Sequence, residues 1–362
     1  MVRTRSTLRH VMRGVAAAAI TSLALFVAAP AQATAANQFT EVDLISDQAG
    51  QAPLVDPLLI NPWGLALSPT SPLWVANEGT KTATIYAGGV NGGPVTKAAL
   101  TVAIPTDEGP TGQVFNGTNQ FVVTGPGGSG PAVFLFVTLS GDVVGWSPVA
   151  NRTTAIVAAH TPDAIYTGLA LVQTAAGPLL LAADFHHARI DVFDGQFQRV
   201  TLPAGAFQDP NLPSGYAPFN VAVAGGSVYV AYAKQDEDGE EEVAGRGLGF
   251  VDRYDLLGSF VERIASRGTL NAPWGLAIAP ASFGRFAGAL LVGNFGDGRI
   301  GAYRDGEFLG LLRGAHGPLA IEGLWALLPG TANTGGTGVV WFSAGPDDEE
   351  HGLVGEIIPS MG

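Results

Sequence analysis

From residue 61 onward the chain is a succession of short apolar runs, five to eight residues long, rich in Val, Ile, Leu and aromatics and bounded by Gly, Pro, Asn or Asp. Runs of this length and make-up, cut off by turn-forming residues, predict β-strands; a helix would need a longer stretch with a 3.6-residue period. No segment after residue 33 has that amphipathic period, so the pattern predicts an all-β chain.

The runs also recur in order. The segments "NPWGLALSPTSPLWVANEGTKTATIYAGG" (61–89) and "NAPWGLAIAPASFGRFAGALLVGNFGDGRIGAYRDGEF" (271–308) share one grammar: Pro-Trp-Gly, a strand, a turn, a second strand ending in Asn, a polar gap, and a third strand ending near Tyr. Weaker copies start at 110, 166, 217 and 321. Anchored on Gly64, Gly112, Gly168, Asn220, Gly275 and Gly323, the copies are spaced by 48, 56, 52, 55 and 48 residues. Six units of three or four antiparallel strands at this period predict the blades of a six-bladed β-propeller, which protects its sheet edges by closing into a ring. The last unit has strands near Gly323–Leu328, Val339–Ser343 and Leu353–Ile358 and then ends, while Phe39–Asp47 has no unit of its own. That orphan is predicted to be the missing outer strand of the sixth blade.

The "PWGLA…LWVAN…TIYAGG" grammar is similar to that of NHL-type six-bladed propellers. Together with "DFHHARIDVFDGQF" (184–197), it resembles an uncharacterised family of secreted bacterial propellers over essentially the whole chain after residue 33. The resemblance implies a fold and brings no assigned activity.

Strand direction places the chemistry. If A runs one way and B returns, the starts of the A strands and the B-to-C loops share one face, here called upper. Asn61, Asn220, Asn271 and Glu322 fall at A starts, and Asp184, His186 and Asn294 at B exits. These seven are the candidate channel-mouth site. Asp184 and His186 are expected on one side of an extended segment and His187 on the other. Trp63, Phe219 and Trp274 precede the anchor positions; they either pack the blades around the channel or form an aromatic rim for sugars or apolar ligands. The acidic runs "DEDGEEE" (236–242) and "DDEE" (347–350) lie in B-to-C loops of the same face, expected farther from the axis. They read as a solvated surface or as a cation site, although the spacing of an EF-hand calcium loop is absent.

Composition narrows the class of function. The chain has 18 Lys+Arg against 31 Asp+Glu and no cysteine, which excludes disulfides, thiolate ligands and a cysteine nucleophile. Residues 1–33 combine four arginines, an apolar stretch and Ala31-Gln32-Ala33, the pattern of a secretory signal cleaved near Ala33. Its removal leaves 34–362 as one domain with 14 basic against 31 acidic side chains, a net charge of −17, and no apolar segment long enough to span a bilayer. Such a surface disfavours nucleic acid and admits small-molecule, saccharide or protein ligands. The expected location is extracellular or periplasmic. No G-x-S-x-G, H-E-x-x-H or phosphate-loop motif is present. The expected function is an extracellular ligand-binding or interaction module using the acidic upper face. The alternative is a metal-assisted hydrolase or lactonase whose carboxylate and amide oxygens hold a divalent cation such as Ca2+ at the channel mouth. Whether any reaction is catalysed stays open at this level.

Overall fold

The computed structural model describes residues 38–360, so the secretory-signal segment lies outside the described residues. Six sheets radiate from a central axis. Blade 1 has A Pro62–Ala66, B Leu73–Asn77, C Thr82–Gly88 and D Val95–Lys97; blade 2 has Pro110–Phe115, Phe134–Thr138, Asp142–Trp146 and Ile156–His160. Blade 3 has Tyr166–Thr174, Gly177–Asp184 and Arg189–Asp194, with a lone bridge from Phe193 to Arg199 where a D strand would run. Blade 4 has Tyr216–Ala224, Ser227–Lys234, Phe250–Tyr254 and Phe260–Ser266, and blade 5 has Pro273–Ile278, Leu290–Asn294, Ile300–Arg304 and Glu307–Leu311. Blade 6 combines Leu324–Pro329, Val340–Ala344 and Leu353–Pro359 with the N-terminal strand Phe39–Ser46. Each A strand lies against the next, and that of blade 6 against that of blade 1, so the ring is closed. Among the described residues the helices are two short 3-10 turns, Val90–Gly92 and Gly284–Phe286, and no helix is long and apolar enough to cross a membrane.

The recurrent glycine of the repeat has a steric cause. A Cβ on Gly64 would stand 2.4 Å from Thr111 O, and one on Gly112 would stand 2.4 Å from Leu169 N. Neighbouring inner strands therefore approach within backbone contact only where the side chain is missing. At the same level the A–B ladder of each blade carries a register irregularity, for instance between Pro62 and Leu65, Tyr166 and Gly168, Pro273 and Gly275, and Leu324 and Leu327. Such bulges raise local twist and re-aim side chains.

This geometry corrects the sixth anchor. Trp325, not Glu322, occupies the place of Trp63 and Trp274, since the run Leu324-Trp325-Ala326-Leu327 superposes on Pro62-Trp63-Gly64-Leu65 in the bulged ladders. The anchor is Ala326, three residues beyond Gly323, so Glu322 precedes the A strand on an outer turn.

The closing strand pairs antiparallel with Leu353–Pro359, from Phe39 opposite Pro359 to Ser46 opposite Leu353. Phe39 is buried against Phe283 and Phe286 of blade 5, at ring-centroid distances of 4.9 and 6.0 Å. Phe39→Ala is expected to lower stability by about 3–5 kcal/mol, the usual cost of truncating a buried phenylalanine. Removing residues 34–46 should expose the edge of Leu353–Pro359 and yield aggregates on gel filtration. A monomeric truncation with an unchanged urea midpoint would refute the role assigned to this strand.

Candidate functional site

At the axis the aromatic side chains form a plug. Trp63 stacks on Trp325 with centroids 3.5 Å apart, Phe295 stacks on the other side of Trp325 at 4.0 Å, and Trp274 meets both indoles edge-on at 6.1 and 5.7 Å. Phe219 and Phe185 complete the cluster. Trp63, Phe219, Trp274 and Trp325 are all at most 5% exposed, as the packing alternative for the first three requires, and together they close off the channel. Trp325 escaped the sequence reading, and Phe185 and Phe295, at B exits of the upper face, were given no part in the site. Aligning the repeat on its Trp rather than its Gly would have found Trp325.

Carboxylates stand on top of this seal. Asn61 accepts a hydrogen bond from Trp325 Nε1 (3.0 Å), and its Nδ2 donates to Glu78 Oε2 (3.1 Å) and Glu349 Oε2 (2.5 Å). Asp347, Asp348 and Glu349 all have left-handed backbone (φ 54, 52 and 68°), a tight coil that turns Glu349 inward. The "DDEE" loop therefore reaches the axis rather than remaining farther out. Burial, with Glu78 and Glu241 nearby, raises the Glu349 carboxyl above its ordinary range. Burial and then the Glu349 and Glu241 charges push Glu242 to about 7.

The B exits are built as clasps. Asp184 is fully buried: Oδ1 accepts from His187 N (3.2 Å), and Oδ2 lies 2.8 Å from His187 Nδ1 and 3.1 Å from the Arg189 guanidinium. Arg189 also binds Asp191, which accepts from the Tyr166 hydroxyl (2.9 Å) and pairs with Arg199. This network ties the three strands of blade 3. Burial raises the pKa of Asp184 while the His187 hydrogen bonds oppose the rise. The partner of Asp184 is thus His187, not His186, because the chain leaves its strand in a turn over 185–188 and strand alternation stops there. His186 points away, with Nδ1 3.3 Å from Gly239 O.

The remaining expected site residues are dispersed. Asn220 donates to Trp274 O (2.8 Å) and accepts from Val221 N (2.8 Å), below the seal. Asn271 accepts from Gly245 N (2.5 Å), while Asn294 accepts from Asn271 N and donates to Thr269 O and Asp297. Glu322 is exposed in a separate depression beside Glu41 and Asp347. Of the seven residues, Asn61 alone meets the axial carboxylates. Among the described residues no three His, Cys, Asp or Glu side chains are grouped as metal ligands.

His186 instead lines a depression of about 400 Å³ between blades 2 and 3, with Leu139, Ala164 and Ile165 as its apolar part and Asp107, Glu108, Asp163 and Glu240 as its carboxylates. Ser140 joins it and hydrogen-bonds Asp142 (2.8 Å). No lysine or arginine lines it. The arrangement can receive a positive charge carried on an apolar stem, since carboxylates in a concave low-dielectric wall concentrate cations.

No family model matches the chain. An uncharacterised protein of Acanthamoeba polyphaga mimivirus is 33% identical over 326 residues, covering 87% of this chain and 78% of that protein. A second uncharacterised mimivirus protein is 32% identical over 329 residues, covering 87% of this chain and 84% of that one. Among solved structures, an α-L-arabinofuranosidase of Fusarium graminearum in complex with arabinobiose is similar in fold, with 10% identity, a TM-score of 0.52, and coverage of 89% of this chain and 98% of that one. A streptogramin B lyase covers 89% of this chain and 97% of its own, with 13% identity and a TM-score of 0.47. The likeness to the arabinofuranosidase is one of fold alone.

Two outcomes follow from the site. Asp184→Ala should cost about 1–3 kcal/mol in urea unfolding, because Arg189 and His187 lose a buried acceptor, while Asp184→Asn should recover part of it. The raised carboxyls set the pH dependence. A carboxyl whose folded pKa exceeds its unfolded value binds more protons when native, so stability falls as pH rises from about 4.5 to about 7. His351, raised by Asp47, acts in the same direction because its contribution is lost as pH climbs through its folded pKa. The Tm is expected to decrease across that window, and Glu242→Gln or Glu356→Gln should each flatten the decrease. A Tm that climbs over the same range would contradict this.

Proposed function

This chain belongs to the family of the two uncharacterised mimivirus proteins, and we propose that it is an exported ligand-binding or interaction module whose working surface is the acidic upper face. The observation that carries the reading is the depression beside His186, where Asp107, Glu108, Asp163 and Glu240 surround apolar side chains without a lining cation. The ammonium of neighbouring Lys81 donates to the backbone Asp107 O at the margin of the depression rather than to one of its carboxylates. The ligand class is cationic with an apolar stem, such as the lysine and arginine side chains of a basic segment on a partner protein. The excess of carboxylates on that face also speeds encounter with such a partner.

The metal-assisted hydrolase or lactonase reading has less support. It needs carboxylate and amide oxygens free to coordinate, whereas above the indoles both ends of the Asn61 amide are spent on Trp325, Glu78 and Glu349, Glu322 stands outside the axis, and Asn271 and Asn294 are consumed by loop contacts. A divalent cation remains the second guest that the upper carboxylates admit, so Ca2+ belongs in the same titration.

A fluorescent hexalysine peptide should bind saturably at about 50 mM salt and weaken about tenfold or more at about 300 mM, as screening shortens the reach of the carboxylates. Glu108→Lys combined with Glu240→Lys should remove the binding, while Asp305→Lys, in a C-to-D turn of the opposite face, should not. Peptide binding that ignores the upper-face double variant would overturn the proposal. Displacement of the peptide by Ca2+ at millimolar concentration or below would favour the cation as the guest.

A further inference from the structure

Below the indole seal the channel is open and its walls are uncharged. A cavity of about 470 Å³ runs along the inner strands from Gly64 and Gly112, under Trp274, to the A-to-B turns at Gly225 and Pro329, and it opens on the face opposite the acidic loops. The volume lies in the range of small-molecule sites. Among the described residues no acidic or basic side chain lines it. The lining side chains with polar atoms are Gln113, Asn220 and Trp274, and all three are committed to the protein. Gln113 donates to Trp74 O (3.1 Å), Trp274 Nε1 donates to Thr167 O (3.0 Å), and Asn220 donates to Trp274 O and accepts from Val221 N (2.8 Å each).

The polar part of the wall that remains free is main chain. Each sheet is radial, so an inner strand has a ladder partner on its outer side only, and in an antiparallel ladder alternate residues turn both peptide groups away from the partner. Pairing and turns show which residues these are. In blade 4, Ala224 and Ser227 close a two-residue turn over Gly225 and Gly226 (φ 56 and 78°), the hairpin whose flanking pair exchanges hydrogen bonds. Ala222 is bonded likewise, and Val221 and Val223 face the channel. In blade 5, Ala279 N donates to Ala289 O (2.9 Å), so Ala277 bonds outward while Leu276 and Ile278 face inward. In blade 6, Gly330 N donates to Val339 O (3.1 Å), which turns Leu327 and Pro329 inward. All six inward residues line the cavity. Apart from Val221 N, held by Asn220, and Pro329, which has no N–H, their peptide groups lie outside the ladders and have no other partner among the described residues.

We propose that the lower channel binds an uncharged small molecule bearing amide groups on an aliphatic body, which enters from the lower face and pairs with the free strand edges of blades 4 to 6. Each edge offers N–H and C=O groups side by side, and an amide carries one group of each kind. The aliphatic side chains between the edges supply contact area, and the indole seal sets the depth. A carboxylate or ammonium in the same place would lose its hydration with no counter-charge in the wall. This site lies on the other side of the seal from the acidic face and does not depend on how that face is used.

The test titrates three leucine derivatives of similar size into the purified protein with a calorimetric readout: N-acetylleucine N-methylamide, N-acetylleucine methyl ester and N-acetylleucine. The wild type should bind the diamide saturably and the ester, which lacks one N–H, about threefold to tenfold more weakly. The carboxylate should bind about tenfold or more below the diamide, because its charge is desolvated without a partner. Val223→Trp, at the lower mouth where Val223 is 39% exposed, should weaken all three. Val223→Pro deletes an N–H that points into the channel and no ladder bond, so it should weaken the diamide about threefold to tenfold. Ile278→Pro repeats that comparison should the first proline variant lack a cooperative unfolding transition. Absence of saturable diamide binding, equal affinity of the wild type for the diamide and either analogue, or diamide binding unchanged in Val223→Trp or in a folded proline variant would each overturn the proposal.

Discussion

The close approach of six inner strands around one axis is the constraint on which the rest of this molecule depends. Gly64 faces Thr111 and Gly112 faces Leu169 at separations that leave no room for a Cβ. Because each blade touches the next at its innermost strand, a ring with one blade missing would expose two apolar faces. The joint is therefore made from both ends of the chain, with Phe39–Ser46 hydrogen-bonded to Leu353–Pro359 and Phe39 driven between Phe283 and Phe286. The protein has no disulfide to hold this joint, so packing and backbone pairing bear it.

Closing the ring fills the axis unevenly. The residue before each anchor is large in four blades (Trp63, Phe219, Trp274 and Trp325) and small in two (Thr111 and Thr167). The indoles and Phe295 stack together there, because offset and edge-on aromatic contacts gain energy beyond their buried area. One step farther along the strands the side chains are Leu, Val and Gln, too short to meet across the axis, and a cavity remains. A single tube is thereby divided into a sealed acidic end and an open uncharged end.

The acidic end carries electrostatic strain. Glu242 and Glu349 have raised pKa values because they are withdrawn from water beside other carboxylates, and Asn61 supplies hydrogen bonds to Glu78 and Glu349 without supplying charge. Blade 3 handles its buried acids in the other way, by pairing Asp184 and Asp191 with Arg189, His187 and Arg199. The contrast separates a structural clasp from a surface whose charge is uncompensated by the protein itself.

The sequence alone determined the strand content, the six units, the upper position of the acidic loops and the return of the N-terminal strand to the last blade. All of these follow from local periodicity and strand direction, which each stretch of chain carries by itself. It did not determine which polar residues meet. Asp184 pairs with His187 because a turn replaces strand alternation at 185–188, and Glu349 reaches Asn61, 288 positions away in the chain, because three successive left-handed residues bend its loop inward. Glu322 fell outside the site because an anchor set on Gly323 is three residues off in a ladder whose bulge only strand pairing reveals. Contacts across the axis join residues far apart in the chain, and their geometry is decided by ring closure, which no local pattern encodes.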